Sequence, residues 1–142
     1  MIVLDTHTLI WWVNADKKLS AKAKSAIRKE QSSNGDILLS AITAWEIAML
    51  VDKGRLTLSM DVDDWLATTG EIETVRFVSI EPEIAVQSVR LPGEFHPDPA
   101  DRLITALARH FSSPLVTADE KIIAYKHVKT IDSLFHNAAH RT

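Results

Sequence analysis

Five carboxylates stand at positions where chemistry would need them. Asp5 directly follows the apolar run Ile2-Val3-Leu4, and Asp119 directly follows Leu115-Val116-Thr117. Glu46 lies one turn into the helical segment after Ile37-Leu38-Leu39, and Asp98 and Asp101 bracket the start of a helical stretch at Pro99. In an open parallel sheet, ligand sites lie beyond the carboxyl ends of the strands, so four of these positions can meet at one edge of the fold. Carboxylates crowded within a few ångströms repel strongly in a partly buried site unless a cation intervenes. Mg²⁺ or Mn²⁺ suits carboxylate and water ligands. Such a cluster serves metal-assisted phosphodiester hydrolysis, where the metal activates water and neutralises developing charge.

Taken singly, each acid also reads as a helix cap or a dipole partner. Thr43-Ala44-Trp45-Glu46 and Thr117-Ala118-Asp119-Glu120 both fit a capping box. Asp98 before Pro99 reads as an N-cap with proline at the first helical position, which puts Asp101 at the third. Other chemistries fall away. The four glycines form neither a dinucleotide fingerprint nor a phosphate loop, and no serine sits in a nucleophile elbow. There is no cysteine, which excludes disulfides, thiolate metal sites and cysteine catalysis. His7, His96, His110, His127, His136 and His140 lack zinc-helix spacing and are not expected as metal ligands.

The elements that must carry these acids follow from pattern. Ile2–Leu4, Ile37–Leu39, Phe77–Ile80 and Leu115–Thr117 read as buried strands, and Val128–Ile131 as a fifth. Helices are expected over Leu9–Val13, from a Ser20 cap to Glu30, over Ala44–Leu50, Asp61–Thr69, Pro82–Arg90 and Pro99–His110, and from Glu120. Gln31–Asp36 and Pro92–Pro99 read as loops. Alternating strands and helices predict an α/β fold with a mainly parallel central sheet of about five strands, flanked by helices. At 142 residues the chain is expected to form one domain, 1–142.

Composition sets the remaining bounds. A hydrophobic fraction of 46% and a charged fraction of 25% are ordinary for a soluble globular protein. The first five residues lack the basic region of a signal peptide, and no segment reaches the ~18–20 apolar residues of a membrane span, so a cytoplasmic protein is expected. The net charge of −3 argues against nucleic-acid binding through overall positive charge. Yet Lys17, Lys18, Lys22, Lys24, Arg28 and Lys29 form a run with no acid between them, either a solvated helix face or a local phosphate-binding surface.

Four pieces of sequence, in order, resemble a known family. They are Val3-Leu4-Asp5-Thr6-His7-Thr8-Leu9-Ile10-Trp11-Trp12, Ser40-Ala41-Ile42-Thr43-Ala44-Trp45-Glu46-Ile47, His96-Pro97-Asp98-Pro99-Ala100-Asp101-Arg102-Leu103-Ile104 and Leu115-Val116-Thr117-Ala118-Asp119. Together they look like PIN-domain ribonucleases, in particular the VapC toxins of bacterial type II toxin–antitoxin pairs. The resemblance implies that Asp5, Glu46, Asp101 and Asp119 are the four catalytic acids. It implies that Asp5, Asp101 and Asp119 hold Mg²⁺ or Mn²⁺ while Glu46 positions metal or water. Thr6 and Thr117 become candidate donors to those acids, or plain turn and cap residues. Arg102 becomes a candidate phosphate contact, or else one half of an exposed ion pair. The implied activity is endoribonuclease cleavage of RNA by a metal-activated water. The implied partners are a cognate antitoxin whose tail occludes the acidic pocket and a second copy of the chain in a homodimer. Two other functions share these residues: a non-catalytic acidic module that binds a cation for structure or signalling, and a structure-directed DNA nuclease. A phosphate-accepting receiver would want adjacent acids after the first strand, whereas here Asp5 is followed by Thr6-His7.

Overall fold

A computed structural model of the chain describes residues 1–136; His140 lies outside them. The elements in chain order are β1 (Ile2–Leu4), α1 (Thr6–Val13), α2 (Ala21–Ser32), β2 (Ile37–Ser40), α3 (Ala41–Asp52) and α4 (Val62–Gly70). They continue with β3 (Val75–Val78), α5 (Pro82–Val89), α6 (Pro99–His110), β4 (Leu115–Thr117), α7 (Glu120–Ile123) and β5 (Thr130–Asp132). The five strands form one sheet in the order β3-β2-β1-β4-β5, and every pairing is parallel. This is the expected α/β architecture.

The central strands are apolar on both faces because both faces are covered. Ile2, Leu4, Ile37, Leu39 and Val116 pack with Leu9, Ile27, Ile47 and Trp65, contributed by the first four helices. The residues between them, Val3, Leu38 and Leu115, point the other way and pack with Ile84, Ile104, Leu107 and Ile122 from α5, α6 and α7. The chain moves outward from β1 to β2 and β3, then returns across β1 to build β4 and β5. The switch of direction lies between β1 and β4, and the crevice beyond their carboxyl ends is where such sheets bind ligands.

Several boundaries differ from expectation, each for a visible reason. The helices after β1 and β2 begin at Thr6 and Ala41 rather than Leu9 and Ala44, because Asp5 and Ser40 cap them directly off the strands. The Ser40 hydroxyl accepts the Ile42 N–H, so Thr43 sits inside α3 and the Thr43–Glu46 capping box does not form. Nor does the Thr117–Glu120 box, since Asp119 is the cap of α7. The third strand is Val75–Val78, not Phe77–Ile80. Its partner β2 pairs Ile37 with Val75 through Ser40 with Val78, and beyond Ser40 there is no strand left for Ser79 or Ile80 to pair with. Likewise β5 is Thr130–Asp132 rather than Val128–Ile131, because β4 pairs Leu115 with Thr130 and Thr117 with Asp132. Gln31 and Ser32 complete α2 instead of opening the loop.

Candidate active site

Asp5, Glu46, Asp98, Asp101 and Asp119 line one cavity of about 320 Å³, with Thr6, His7 and Trp11 on its wall. None of the lining residues is a lysine or arginine. The expected convergence at the carboxyl edge of the sheet is therefore present. Asp5, on the N-cap of α1, accepts the Thr8 N–H at 2.9 Å through Oδ1 and the Thr117 hydroxyl at 2.5 Å through Oδ2. That same Thr117 oxygen accepts the Asp119 N–H at 3.1 Å. One buried threonine on β4 thus ties the acid after β1 to the acid after β4. Asp119 Oδ1 in turn accepts the Lys121 N–H at 2.8 Å and the Ile122 N–H at 3.2 Å.

Glu46 is held from the opposite side. Its Oε1 accepts the Thr6 hydroxyl at 2.5 Å, and the Thr6 oxygen lies 3.2 Å from the Thr43 hydroxyl, both threonines being buried. Thr6 and Thr117 are therefore donors to site carboxylates, one of their two expected roles. Asp98 is the cap of α6, as its sequence implied: its Oδ1 accepts the Asp101 N–H at 2.9 Å and Pro99 opens the helix.

His96 was not expected here. Its Nε2 lies 2.6 Å from Asp101 Oδ2, and ligand atoms of His96, Asp101 and Asp119 all lie within 4.8 Å of one another. Asp5 is not in that triplet; each of its oxygens accepts a hydrogen bond from the protein. No motif spacing marks His96. It reaches the site because the loop from Pro92 to Pro97 is folded back over α6. Arg102 makes that fold: its Nε donates to the His96 carbonyl at 3.0 Å, Nη2 to the Phe95 carbonyl at 2.7 Å and Nη1 to the Ser88 carbonyl at 3.0 Å. The exposed ion pair expected of Arg102 is absent among the described residues, and its guanidinium is engaged with backbone rather than left open to phosphate. Replacing Arg102 with alanine orphans three partly buried carbonyls and should lower unfolding stability by about 2 kcal/mol. Lysine, a point donor without the planar fork, should restore less than half of that loss. Chemical denaturation measures both; a change within about ±0.5 kcal/mol, usual for surface positions, would refute the clamp.

Burial raises the carboxyls of Asp5, Glu46 and Asp101 above ordinary carboxylate values. Hydrogen bonds from Thr117 and Thr8 pull Asp5 back, Thr6 does the same for Glu46, and His96 for Asp101. The charges of Asp101 and Asp98 push Glu46 further up, as those of Asp98 and Asp119 do for Asp101. Repulsion between neighbouring acids, a ligand triplet of one imidazole and two carboxylates, and a lining without lysine or arginine are what a divalent cation compensates. The donor set fits one.

The basic run does not form one patch beside these acids: Lys18 lies 6.0 Å from the ring of Trp11 on the cavity wall, but the run then leads away. Ser20, which caps α2, is bonded to Asp132 and Ser133 at the carboxyl end of β5, whereas Glu30 in its last turns pairs with the Met1 ammonium at 2.8 Å, ahead of β1. Arg28 and Lys29 therefore lie at the amino edge of the sheet, opposite the cavity.

Comparison with known proteins agrees with this geometry. The PIN domain family matches residues 2–128. The chain is similar to Ribonuclease VapC22 of Mycobacterium tuberculosis, with 35% identity over 130 residues covering 92% of this chain and 95% of that protein. Among solved structures it resembles VapBC2 from Rickettsia felis bound to a DNA fragment from their promoter, at TM-score 0.69 and 16% identity over 93% of this chain and 98% of that one. It also resembles FitAcB from Neisseria gonorrhoeae, at TM-score 0.64 and 19% identity, with 93% and 97% covered. At these identities the two structures speak for the fold.

Proposed function

Because the chain belongs to the PIN-domain family and is a homologue of a VapC ribonuclease, we propose that it is a divalent-metal-dependent endoribonuclease and the toxin of a toxin–antitoxin pair. The observation that carries the reading is the shared cavity of Asp5, Glu46, Asp101 and Asp119 at the β1–β4 switch point. Asp101 and Asp119, with His96 beside them, would hold Mg²⁺ or Mn²⁺, and Asp5 would complete the negative field from the far side of Thr117. A cation held there would supply activation of water and neutralisation of charge developing on the phosphate. Glu46, with its raised proton affinity and its carboxylate fixed by Thr6, is placed to orient the attacking water and accept its proton. Thr117 holds Asp5 and the Asp119 backbone in one arrangement, so the acids need not reorganise when RNA arrives. Hydrolysis adds water across one phosphodiester bond, leaving one hydroxyl end and one phosphate end.

The reading extends to partners and place. Related structures that are toxin–antitoxin complexes support a cognate antitoxin. A second copy in a homodimer belongs to the same reading, and Trp45 on α3 and Val89 at the end of α5, 56% and 77% exposed, are apolar side chains open to either partner. No helix among the described residues is long and apolar enough to cross a membrane; a toxin that cleaves cellular RNA would act in the cytoplasm. The chain is read as one PIN-like domain, 1–142. Purified protein should cleave single-stranded RNA with Mn²⁺ and fail with EDTA, and its expression alone should slow growth until the antitoxin is supplied. Harmless high-level soluble expression, together with no RNA cleavage in Mn²⁺, would remove the toxin reading.

A further inference from the structure

A second, larger cavity of about 880 Å³ runs beside the acids and is not used by the reaction chemistry described above. His96 joins the two, facing the groove while its Nε2 meets Asp101. Lys121 joins them again, its side chain on the groove and its backbone N–H on Asp119. The floor is aromatic: the His96 ring stacks on Phe95 at 4.5 Å, the Arg102 guanidinium lies 5.6 Å from the Phe95 centroid, and buried Tyr125 meets Phe95 edge to face at 4.9 Å with its hydroxyl anchored to the Pro92 carbonyl. The rim carries the exposed cations Lys121 and Lys126, neither in an ion pair among the described residues, with Glu94 the acid on the same lining.

We propose that this groove is the track for the substrate strand next to the scissile bond, with Lys121 and Lys126 on two backbone phosphates of single-stranded RNA and an unpaired base packed beside the Phe95–His96 stack. The inference rests on the ribonuclease reading and adds to it how the strand is held. A polyanion cannot be drawn in by a cavity lined with five carboxylates alone, so its neighbouring phosphates need cations that the acids do not neutralise. Lys121 and Lys126 meet that condition. An aromatic floor selects bases that are not already stacked in a duplex, which is how single strands are held. The rigid wall also suits the task, because Arg102 fixes the Phe95 and His96 backbone before RNA binds.

The test compares K121Q/K126Q with R28Q/K29Q, which removes the same charge at the opposite edge of the sheet. A labelled single-stranded RNA of randomised sequence is titrated against each in EDTA over a range of salt. Each phosphate contact on a single strand contributes about 0.7 to the slope of log affinity against log salt, so K121Q/K126Q should be shallower than the parent by about 1.4. Its affinity should fall about tenfold at moderate salt. In Mn²⁺ its KM for cleavage should rise similarly with kcat within about twofold, because uniform binding is lost and not the chemistry. R28Q/K29Q should behave as the parent. An unchanged slope and KM in K121Q/K126Q, or an equal loss in R28Q/K29Q, would overturn the groove while leaving the ribonuclease reading intact. A parent that neither binds nor cleaves RNA would overturn both.

Discussion

Asp101→Asn should reduce RNA cleavage by at least about 10²-fold, the scale seen when a preorganised charge is removed from an active site, without weakening the metal-free fold. The two halves of that expectation come from one arrangement. Asp101 is partly buried beside Asp98 and Asp119, and its carboxyl is raised by burial and by their charges. Removing its charge relieves repulsion, while the amide keeps the carboxyl's size and can still pair with His96. Asp5→Asn and Asp119→Asn should behave alike, since asparagine is nearly as good an N-cap as aspartate and these two residues cap α1 and α7. In EDTA all three variants should melt at or above the parent temperature. If the acids were only caps or dipole partners, the same changes would be neutral or cost up to ~1 kcal/mol, and cleavage would persist. Asp98→Asn is the control, because the Asp98 side chain is engaged in capping α6 through the Asp101 N–H; it should retain much of the activity. Cleavage by Asp101→Asn at the parent rate would sink the catalytic assignment of that residue.

The acids were legible because each follows a pattern that short-range chemistry enforces. Ile2-Val3-Leu4 and Leu115-Val116-Thr117 read as strands buried on both faces, and an acid placed directly after such a strand in a parallel sheet lands at the carboxyl edge whatever the strand order. Asp98-Pro99 fixes a helix start by itself. What sequence did not disclose were contacts decided by tertiary placement. His96 has no partner at ligand spacing along the chain; it meets Asp101 because Arg102 draws the preceding loop back by its carbonyls. Arg102 itself, read by type as a phosphate or carboxylate partner, finds three backbone oxygens nearer to hand.

Strand ends failed for a related reason. Phe77-Val78-Ser79-Ile80 is a good local strand pattern, but a strand ends where its neighbour ends. Here β2 stops at Ser40 because that serine caps α3. Phe77 and Ile80 are 36% exposed each, and Ile80 falls beyond the end of the strand, so apolar character alone did not mark where pairing stops. The basic run is continuous in sequence, yet α2 carries it from the carboxyl edge of the sheet to the amino edge, so Lys18 stands by the Trp11 wall of the cavity while Arg28 and Lys29 lie at the far edge.

The stability gained from Mg²⁺ should be near zero at about pH 4 and greatest near neutrality, while the metal-free protein shows the opposite trend from the same acids. Asp5, Glu46 and Asp101 have folded-state values raised above their ordinary ones of 3.8, 4.5 and 3.8, with burial the largest cause in each. The folded state therefore holds their protons more tightly than the unfolded chain does. Their contribution to stability is fully present below the ordinary carboxylate range and is lost as pH rises through the raised values. At neutral pH, without metal, these charges oppose folding. A cation that binds only the folded, deprotonated site reverses this and adds about 2.7 kcal/mol at a hundredfold excess over its Kd. Thermal melts of the parent and of Asp5→Asn across pH about 4 to 8, with EDTA and with Mg²⁺, isolate the effect from other titrating groups. In EDTA the stability of Asp5→Asn relative to the parent should grow as pH rises, and in Mg²⁺ that advantage should disappear or reverse. A metal gain independent of pH would mean that the cation binds elsewhere and that the crowded carboxylates are compensated within the protein; one retained in full by Asp5→Asn would take Asp5 out of the field around the cation.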